Sequence, residues 1–230
     1  MRVKYTGAVL VTPDPDSGQC PVCLGSAIRF FLTADGRDYW RCNDCAATFL
    51  TPSQLPTPAV AHAHYLQHDN QLADTRYRQF LSRLTQPLLA CLPPAQSGLD
   101  YGCGPGPALA CMLREAGHAV ALYDPFFHPE PAALTQTYDF ITCTEVAEHF
   151  HQPADEFARL DRLLRPGGCL AIMTCFQTDD ERFAAWHYRR EPTHVVFYRK
   201  ETFLHLAGRY SWRCEIPAKD IVLMHKRVPG

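Results

Sequence analysis

Hydrophobic and polar positions change their period along the chain, and the changes divide it. Residues 1–50 show little helical periodicity, and IRFFLTADGRDYW (28–40) alternates around Asp35-Gly36 in the manner of a β-hairpin. TPSQLPTPAVA (51–61) follows with three prolines. Proline removes a donor and fixes the chain in an extended form, so residues 51–68 are expected to be a linker. From Asp69 or Asn70, either of which suits an N-cap, Leu72, Tyr77, Phe80, Leu81, Leu84 and Leu88 recur at helical spacing. They predict a long helix, kinked or ended near Pro87.

Beyond that helix, strands and helices alternate. SGLDY (97–101), HAVALY (118–123), YDFITC (138–143) and CLAIMTC (169–175) read as strands, with PALACMLREAG (107–117) and PADEFARLDRLL (153–164) as helices between them. Gly117 closes the first of these helices and Pro153 opens the second. Such alternation implies right-handed βαβ units and a parallel sheet covered on both faces. The tail supplies helices near 178–187 and 200–208, then YSWRCEI and DIVLMHK, a pair of strands expected to form a hairpin at the sheet edge.

Composition narrows the setting. A chain of 230 residues with 47% hydrophobic content can bury a full core, and a formal net charge of −2 lacks the basic footprint of a nucleic-acid protein. No DNA partner is expected, and any RNA contact has to be local. MRVKYTGAVLVTPDPD fits neither a signal peptide nor a membrane span, which points to a cytoplasmic protein with no membrane partner. Eleven cysteines are present, four of them in two Cys-x-x-Cys pairs. The other seven, Cys91, Cys103, Cys111, Cys143, Cys169, Cys175 and Cys214, are scattered through apolar segments and read as reduced, buried thiols.

Cys20-Pro-Val-Cys23 and Cys42-Asn-Asp-Cys45 enclose eighteen residues, inside the spacing window of a four-thiolate zinc site. With the alternating stretch between them they make a zinc ribbon. Four cysteines close the coordination sphere, so the metal is expected to be structural. Whether the ribbon only stabilises a small lobe or also recognises a partner is left open by these residues.

LDYGCGPGP follows the first core strand and opens a helix. Its glycines at 102, 104 and 106 give G-x-G-x-G, whereas a dinucleotide fingerprint needs its third glycine where this chain has Pro107. At the end of the second strand stands Asp124, placed to accept both hydroxyls of a ribose. With these residues on the page, the chain resembles the class I S-adenosylmethionine-dependent methyltransferases. LDYGCGPG, YD at 123–124, YDFITCTEVAEHF and LLRPGGCLAIMT carry the resemblance, over residues 97–175.

The resemblance implies a Rossmann-like, doubly wound, mostly parallel sheet with an antiparallel C-terminal edge strand over residues 69–230, beside a zinc-ribbon lobe over 1–50. It also implies that Asp100, Gly102, Cys103, Gly104 and Gly106 surround the methionine part of the cofactor and that Asp124 binds the ribose. Pro125, Phe126 and Thr144 complete the cofactor set. Between Asp124 and the YDFI strand only DPFFHPEPAALTQTYD intervenes, too short for the family's usual helix and strand. The third strand region is therefore expected to be reduced, with adenine held by apolar packing against Phe126 or Phe127.

TEVAEHF (144–150) places Glu145, Glu148 and His149 at i, i+3 and i+4, one face of a helix if a helix begins there. A similar motif occurs in ubiquinone-pathway O-methyltransferases and small-RNA 2′-O-methyltransferases, where it binds a divalent metal near the acceptor hydroxyl. EPTHVVFYRKETF (191–203) makes His194 the candidate fourth ligand. Three roles stay open: a second, divalent metal site, acid/base work by His149 or His194 without metal, and support of a helix start. WHYRREPTHVVFYRK (186–200) reads either as a substrate lid, with Trp186, Tyr188 and Arg190 facing the acceptor, or as a solvated helix end.

The expected function is methyl transfer from S-adenosylmethionine, directed at an oxygen of a small metabolite. The ribbon also resembles the zinc lobe of a ribosomal-RNA base methyltransferase family and of some sugar C-methyltransferases, which keeps RNA as the alternative acceptor. A binding module that keeps the fold without catalysis is the third reading.

Overall fold

A computed structural model describes residues 18–67 and 72–228. The first elements are the hairpin strands β1 (Ile28–Ala34) and β2 (Arg37–Cys42) and the short β3 (Thr48–Leu50). Helices α1 (Pro58–Tyr65) and α2 (Thr75–Cys91) lead into the alternating part: β4 (Ser97–Tyr101), α3 (Ala108–Glu115), β5 (Ala119–Tyr123), β6 (Tyr138–Thr144), α4 (Pro153–Leu163) and β7 (Leu164–Met173). Then come α5 (His187–Arg190), β8 (Val196–Phe197), α6 (Lys200–Tyr210), β9 (Trp212–Ala218) and β10 (Ile221–Lys226).

The main sheet runs β5-β4-β6-β7-β10-β9, with the first four strands parallel and β10 antiparallel to both of its neighbours. Successive residues of β7 alternate between its faces. Leu170 and Ile172 enter the core shared with α4 and α6, while Cys169, Ala171 and Met173 enter the core shared with α2 and α3. A strand buried on both sides reads as a continuous apolar run, which is why CLAIMT carries no polar alternation. The region between β5 and β6 holds only the 3₁₀ turn Pro131–Leu134, so β5 is the sheet edge, as the short intervening sequence predicts.

The four-cysteine segment forms a second sheet of order β1-β2-β3-β8, whose last strand comes from the far end of the chain. Its Tyr39, Trp40 and Phe49 share one continuous core with Phe157, Leu170 and Phe203. The ribbon is therefore built into the face of the larger unit and not hung beside it. Arg209 donates to the Cys23 carbonyl at 2.8 Å, and Ala154 N–H to the Pro21 carbonyl at 2.9 Å, tying the cysteine turns to α6 and α4.

Three expectations need correction. The prolines of 51–61 do not keep residues 51–68 extended: Pro52–Gln54 is a 3₁₀ turn and Pro58 starts α1, where a missing N–H costs nothing. Asp69 and Asn70 lie outside the described residues, and the helix that follows is capped by Asp74, whose carboxylate accepts from Arg76 N–H at 2.8 Å. That helix passes through Pro87 to Cys91, held by Leu81, Leu84 and Leu88, buried on both sides of it. The helix expected near 178–187 shrinks to a 3₁₀ turn, Phe183–Ala185, and the four-residue α5, because 178–182 engages in local aspartate turns instead. Among the described residues no helix is long and apolar enough to cross a membrane.

Candidate active site

A cavity of about 980 Å³ opens at the carboxyl ends of β4, β5 and β6. The glycine loop forms its floor. Gly102 and Gly104 take φ of +77° and +65°, and a Cβ on Gly102 would come within 2.5 Å of Val146 Cγ2, so glycine is required there by backbone and by space. Asp124 braces the loop: one carboxylate oxygen accepts from Gly104 N–H at 3.0 Å, and the other from Phe126 and Phe127 N–H at 2.9 and 3.1 Å. Asp100 is buried at the end of β4 and accepts from Thr142 Oγ1 at 2.9 Å. Burial pushes its carboxyl up to about 6 and also pushes the Cys103 thiol up. Cys103, Gly106, Pro125 and Phe126 line the same cavity. So does Thr144, whose buried Oγ1 has no hydrogen-bond partner among the described residues and suits a polar ligand.

TEVAEHF is not an α-helix. Glu145 sits in the left-handed region at φ +52°, with its N–H bonded to the Met173 carbonyl at 2.8 Å, and only Ala147–His149 turn, as a 3₁₀ helix. Glu145 still lines the cavity, with Tyr188 Oη 3.4 Å from its Oε2, but it stands outside the cluster that Glu148 and His149 form. Their partner is His194: the ligand atoms of Glu148, His149 and His194 all lie within 4.8 Å of one another. His149 Nδ1 faces the Thr193 carbonyl at 3.0 Å and His194 Nδ1 the Tyr188 carbonyl at 2.7 Å. A carbonyl only accepts, so both Nδ1 atoms carry hydrogen and both rings present Nε2 to Glu148 Oε1, at 4.0 and 3.9 Å. Burial holds His194 down at about 4, so its ring is neutral.

Glu148 is fully buried and accepts from Tyr188 Oη at 2.5 Å and Thr174 Oγ1 at 2.9 Å. Burial, with the Glu148 charge second, pushes Glu145 up to about 9. In metal sites a ligating imidazole is commonly held in this way, its other ring N–H donated to a carbonyl or carboxylate. The 3.9–4.0 Å separations exceed by about half an ångström the roughly 3.4 Å edge of a tetrahedral site with about 2.1 Å bonds, a difference that side-chain rotation covers.

The four cysteine thiols fit zinc more closely. Cys20 and Cys45 Sγ lie 3.6 Å apart and Cys23 and Cys42 Sγ 3.5 Å apart, near the roughly 3.8 Å edge expected for tetrahedral thiolates at about 2.3 Å from zinc and far from a disulfide at about 2.0 Å. Gly25 and Cys45 N–H point at Cys23 and Cys42 Sγ, as donors that stabilise thiolates do. A main-chain relay connects this sheet to the histidine cluster: Leu50 N–H donates to the Val195 carbonyl and Val195 N–H to the Glu148 carbonyl, each at 2.9 Å.

The segment 186–200 divides its residues. Arg190 and Tyr188 line the cavity, but the Tyr188 hydroxyl is committed to Glu148, Thr174 and the Cys175 N–H. Trp186 packs on Phe183, Tyr188 and Phe197 and is not part of the cavity wall, because its neighbours are the aromatic residues of the shared core. Arg189 pairs with Asp35 and Arg199 with Asp180, so neither is a free basic contact. Sequence reasoning missed α1. Phe126 stacks on its His62 with centroids 5.0 Å apart, Tyr65 lies 5.3 Å edge-on from His149, and His64 Nε2 reaches Glu191 at 2.7 Å. The signal was present: Thr57 followed by Pro58 is a helix start, and Thr57 Oγ1 accepts from Val60 N–H at 3.4 Å. Tyr77 and Phe80 of α2 also line the cavity.

With this geometry in place, comparison with known proteins assigns the family. The methyltransferase-domain family matches residues 68–215, and the chain belongs to it: it is an S-adenosylmethionine-dependent methyltransferase. The ubiquinone biosynthesis O-methyltransferase of Serratia proteamaculans (strain 568) is 31% identical over 90 residues, which is 39% of this chain and only 36% of that protein. Among solved structures, the 1,6-didemethyltoxoflavin-N1-methyltransferase of Burkholderia thailandensis, with bound 1,6-didemethyltoxoflavin and S-adenosylhomocysteine, superposes with a TM-score of 0.51. It is 15% identical and covers 87% of this chain and 100% of its own. An O-methyltransferase family protein from the same organism gives a TM-score of 0.47 at 16% identity, covering 73% of this chain and 67% of its own.

Proposed function

We propose that the protein methylates an oxygen of a small hydroxylated acceptor, at a divalent-cation site formed by Glu148, His149 and His194. The observation that carries this reading is the convergence of two Nδ1-anchored imidazoles on one buried carboxylate beside the cofactor crevice. When bound, S-adenosylmethionine supplies an electrophilic methyl group on a sulfonium, and a divalent cation supplies the charge that lowers the pKa of a hydroxyl.

The chain's own residues do the rest. Main-chain groups of the loop around Gly102, Cys103, Gly104 and Gly106 would hold the methionine part of the cofactor, with the Asp100 carboxylate available to its ammonium. Asp124 would accept from the ribose hydroxyls with the lone pairs its loop contacts leave open, Pro125 and Phe126 would cover the adenine, and Thr144 would offer its unpartnered hydroxyl. Glu148, His149 and His194 orient the acceptor oxygen for in-line displacement, and Tyr188 and Thr174 hold Glu148 in place. Arg190 and Tyr65 line the acceptor side, and α1 shields the reacting atoms from water.

A small acceptor is supported by the cavity's volume and by the commitment of Arg189 and Arg199 to ion pairs, which removes half of the basic character an RNA-reading segment would use. The named relative is an O-methyltransferase of ubiquinone biosynthesis, in agreement with that choice. A metal-free version is favoured by the same anchoring of Nδ1, because it makes Nε2 of a neutral His149 the proton-accepting atom.

The test combines Mn²⁺ titration followed by electron paramagnetic resonance with transfer of labelled methyl to a panel of catechols and phenols. Saturable Mn²⁺ binding that H149A and H194A abolish, with metal-dependent transfer, is the expected result. Metal-independent transfer with no Mn²⁺ bound would leave the histidine-base version standing, and label confined to nuclease-sensitive material of a host extract would overturn the small acceptor.

A further inference from the structure

The seven cysteines outside the ribbon read in sequence as inert core thiols, but two of them meet a histidine far from the cavity. Cys91 is the last residue of α2, Cys169 lies on β7, and His225 lies on β10. Cys169 and His225 are direct register partners across the antiparallel β7–β10 ladder, so their side chains leave the sheet on the same face. That face carries α2, whose end brings Cys91 over the pair, and the two thiols and an imidazole nitrogen lie within 4.8 Å of one another. None of the three lines the cavity, which sits at the other end of α2 around Tyr77 and Phe80.

We propose that Cys91, Cys169 and His225 form a second zinc-class metal site, independent of the ribbon and of the acceptor centre. The donor set is the argument. Two thiolates and an imidazole select a soft or borderline d¹⁰ cation, and such three-ligand sets bind zinc with water in the fourth position. His225 Nε2 is buried and has no hydrogen-bond partner among the described residues, so this imidazole lacks a bond that its burial calls for. The nearest further donor is Glu215, 3.6 Å from that nitrogen and itself paired with Arg213. Cys91 is exposed, so the ion has an entry path, and Cys169 is buried beneath it.

Binding exchanges two thiol protons for one divalent cation, released to solvent, and leaves the centre neutral. Its effect is to pin the end of α2 to β7 and β10, which the Arg83–Asp220 ion pair already joins nearer the cavity. Set apart from the cavity, with the sheet behind it, the site is structural or a store for metal and takes no part in methyl transfer.

The test is ¹¹³Cd NMR on the full chain loaded with Cd²⁺ under reducing, anaerobic conditions, with native mass spectrometry of the zinc form beside it. Two thiolate-bound resonances are expected, the more deshielded from the four-cysteine site and the other from the two-sulfur site. C91A, a substitution at an exposed position, removes the second resonance and one bound metal while methyl transfer is unchanged, and H225N does the same. A single thiolate resonance in the wild type, or a second one that survives C91A, would overturn the proposal.

Discussion

The four ribbon cysteines and the Glu148–His149–His194 cluster both gather side chains of the kinds that can hold a metal, and they are built in opposite ways. The four cysteines lie within 26 residues on two tight turns, brought together by a hairpin whose partners are neighbours in the chain. Glu148, His149 and His194 are joined only after β6, β7 and β8 have taken their places, and His149 bonds the Thr193 carbonyl across 44 residues. A local cluster can form early and serve as a folding anchor, while a long-range one depends on every element that positions it. The Leu50–Val195–Glu148 relay makes the second depend on the first.

Removing the ribbon's metal is therefore expected to have the largest effect, and to reach beyond the ribbon. Because Tyr39, Trp40 and Phe49 share a core with α4 and α6, a zinc-selective chelator or C42S should lower the main unfolding transition by at least about 10 °C, as a loss of several kcal/mol does in a domain of this size. Calorimetry checks this. A main transition that stays in place while a small one disappears would show the ribbon to be an independent lobe and break the dependence argued above.

The converse substitution isolates the acceptor centre. Glu148→Gln keeps the volume and one acceptor oxygen but removes the charge toward which both imidazoles point. It is expected to lower kcat by about 10²–10⁴-fold, the range for losing a positioned catalytic group, with affinity for S-adenosylhomocysteine within about two-fold of wild type. A joint loss of kcat and cofactor affinity would mean that Glu148 supports the crevice as a whole.

The same contrast explains what could be read from the chain. Cys-x-x-Cys turns, the glycine loop and the YDFITC strand are contiguous words whose chemistry is set by near neighbours, so the four-cysteine sheet, the alternating α/β unit and its antiparallel C-terminal hairpin are legible. Glu145 lines the cavity but does not join Glu148 and His149, because i, i+3, i+4 spacing assumes a helix and its left-handed backbone, fixed by the Met173 carbonyl, departs from one. Trp186 read as a lid or a helix end and instead lies half-buried against the core, since nothing in its own stretch says that Phe197 of β8 will flank it. Cys91, Cys169 and His225 could not be seen together at all, because strand register and the end of a helix bring them into contact.

Within the crevice, Asp100 tests how much stability the cofactor site costs. Burial raises its carboxyl from 3.8 to about 6, so the folded state binds a proton the unfolded state has lost. The sign follows: stability from this group is full below about 4, falls as pH rises through 6, and the ionised form is carried at a cost of about 3 kcal/mol at neutral pH. Asp100→Asn has no such slope. Urea unfolding of the two proteins should show their stability difference moving by about 2.5 kcal/mol in favour of the variant between pH 4 and pH 7.5, while the variant loses affinity for S-adenosylhomocysteine. A difference that does not move with pH would mean that Asp100 titrates as an ordinary aspartate.

The smallest expected effect belongs to α1, which is neither ribbon nor sheet but touches the cofactor side through His62 on Phe126 and the acceptor side through Tyr65 beside His149. Thr57→Ala removes the one side-chain cap of this eight-residue helix, worth about 1 kcal/mol. Half of α1 is exposed and only Ala61 is buried, so global melting should move by no more than about 2 °C. The loss should appear instead where α1 closes over substrate, as a KM for the acceptor raised about five-fold, which is RT ln 5 for that 1 kcal/mol, with kcat unchanged. A fall in kcat with KM constant would place α1 on the reacting atoms, and no change in either would return residues 51–68 to the linker that their prolines suggest.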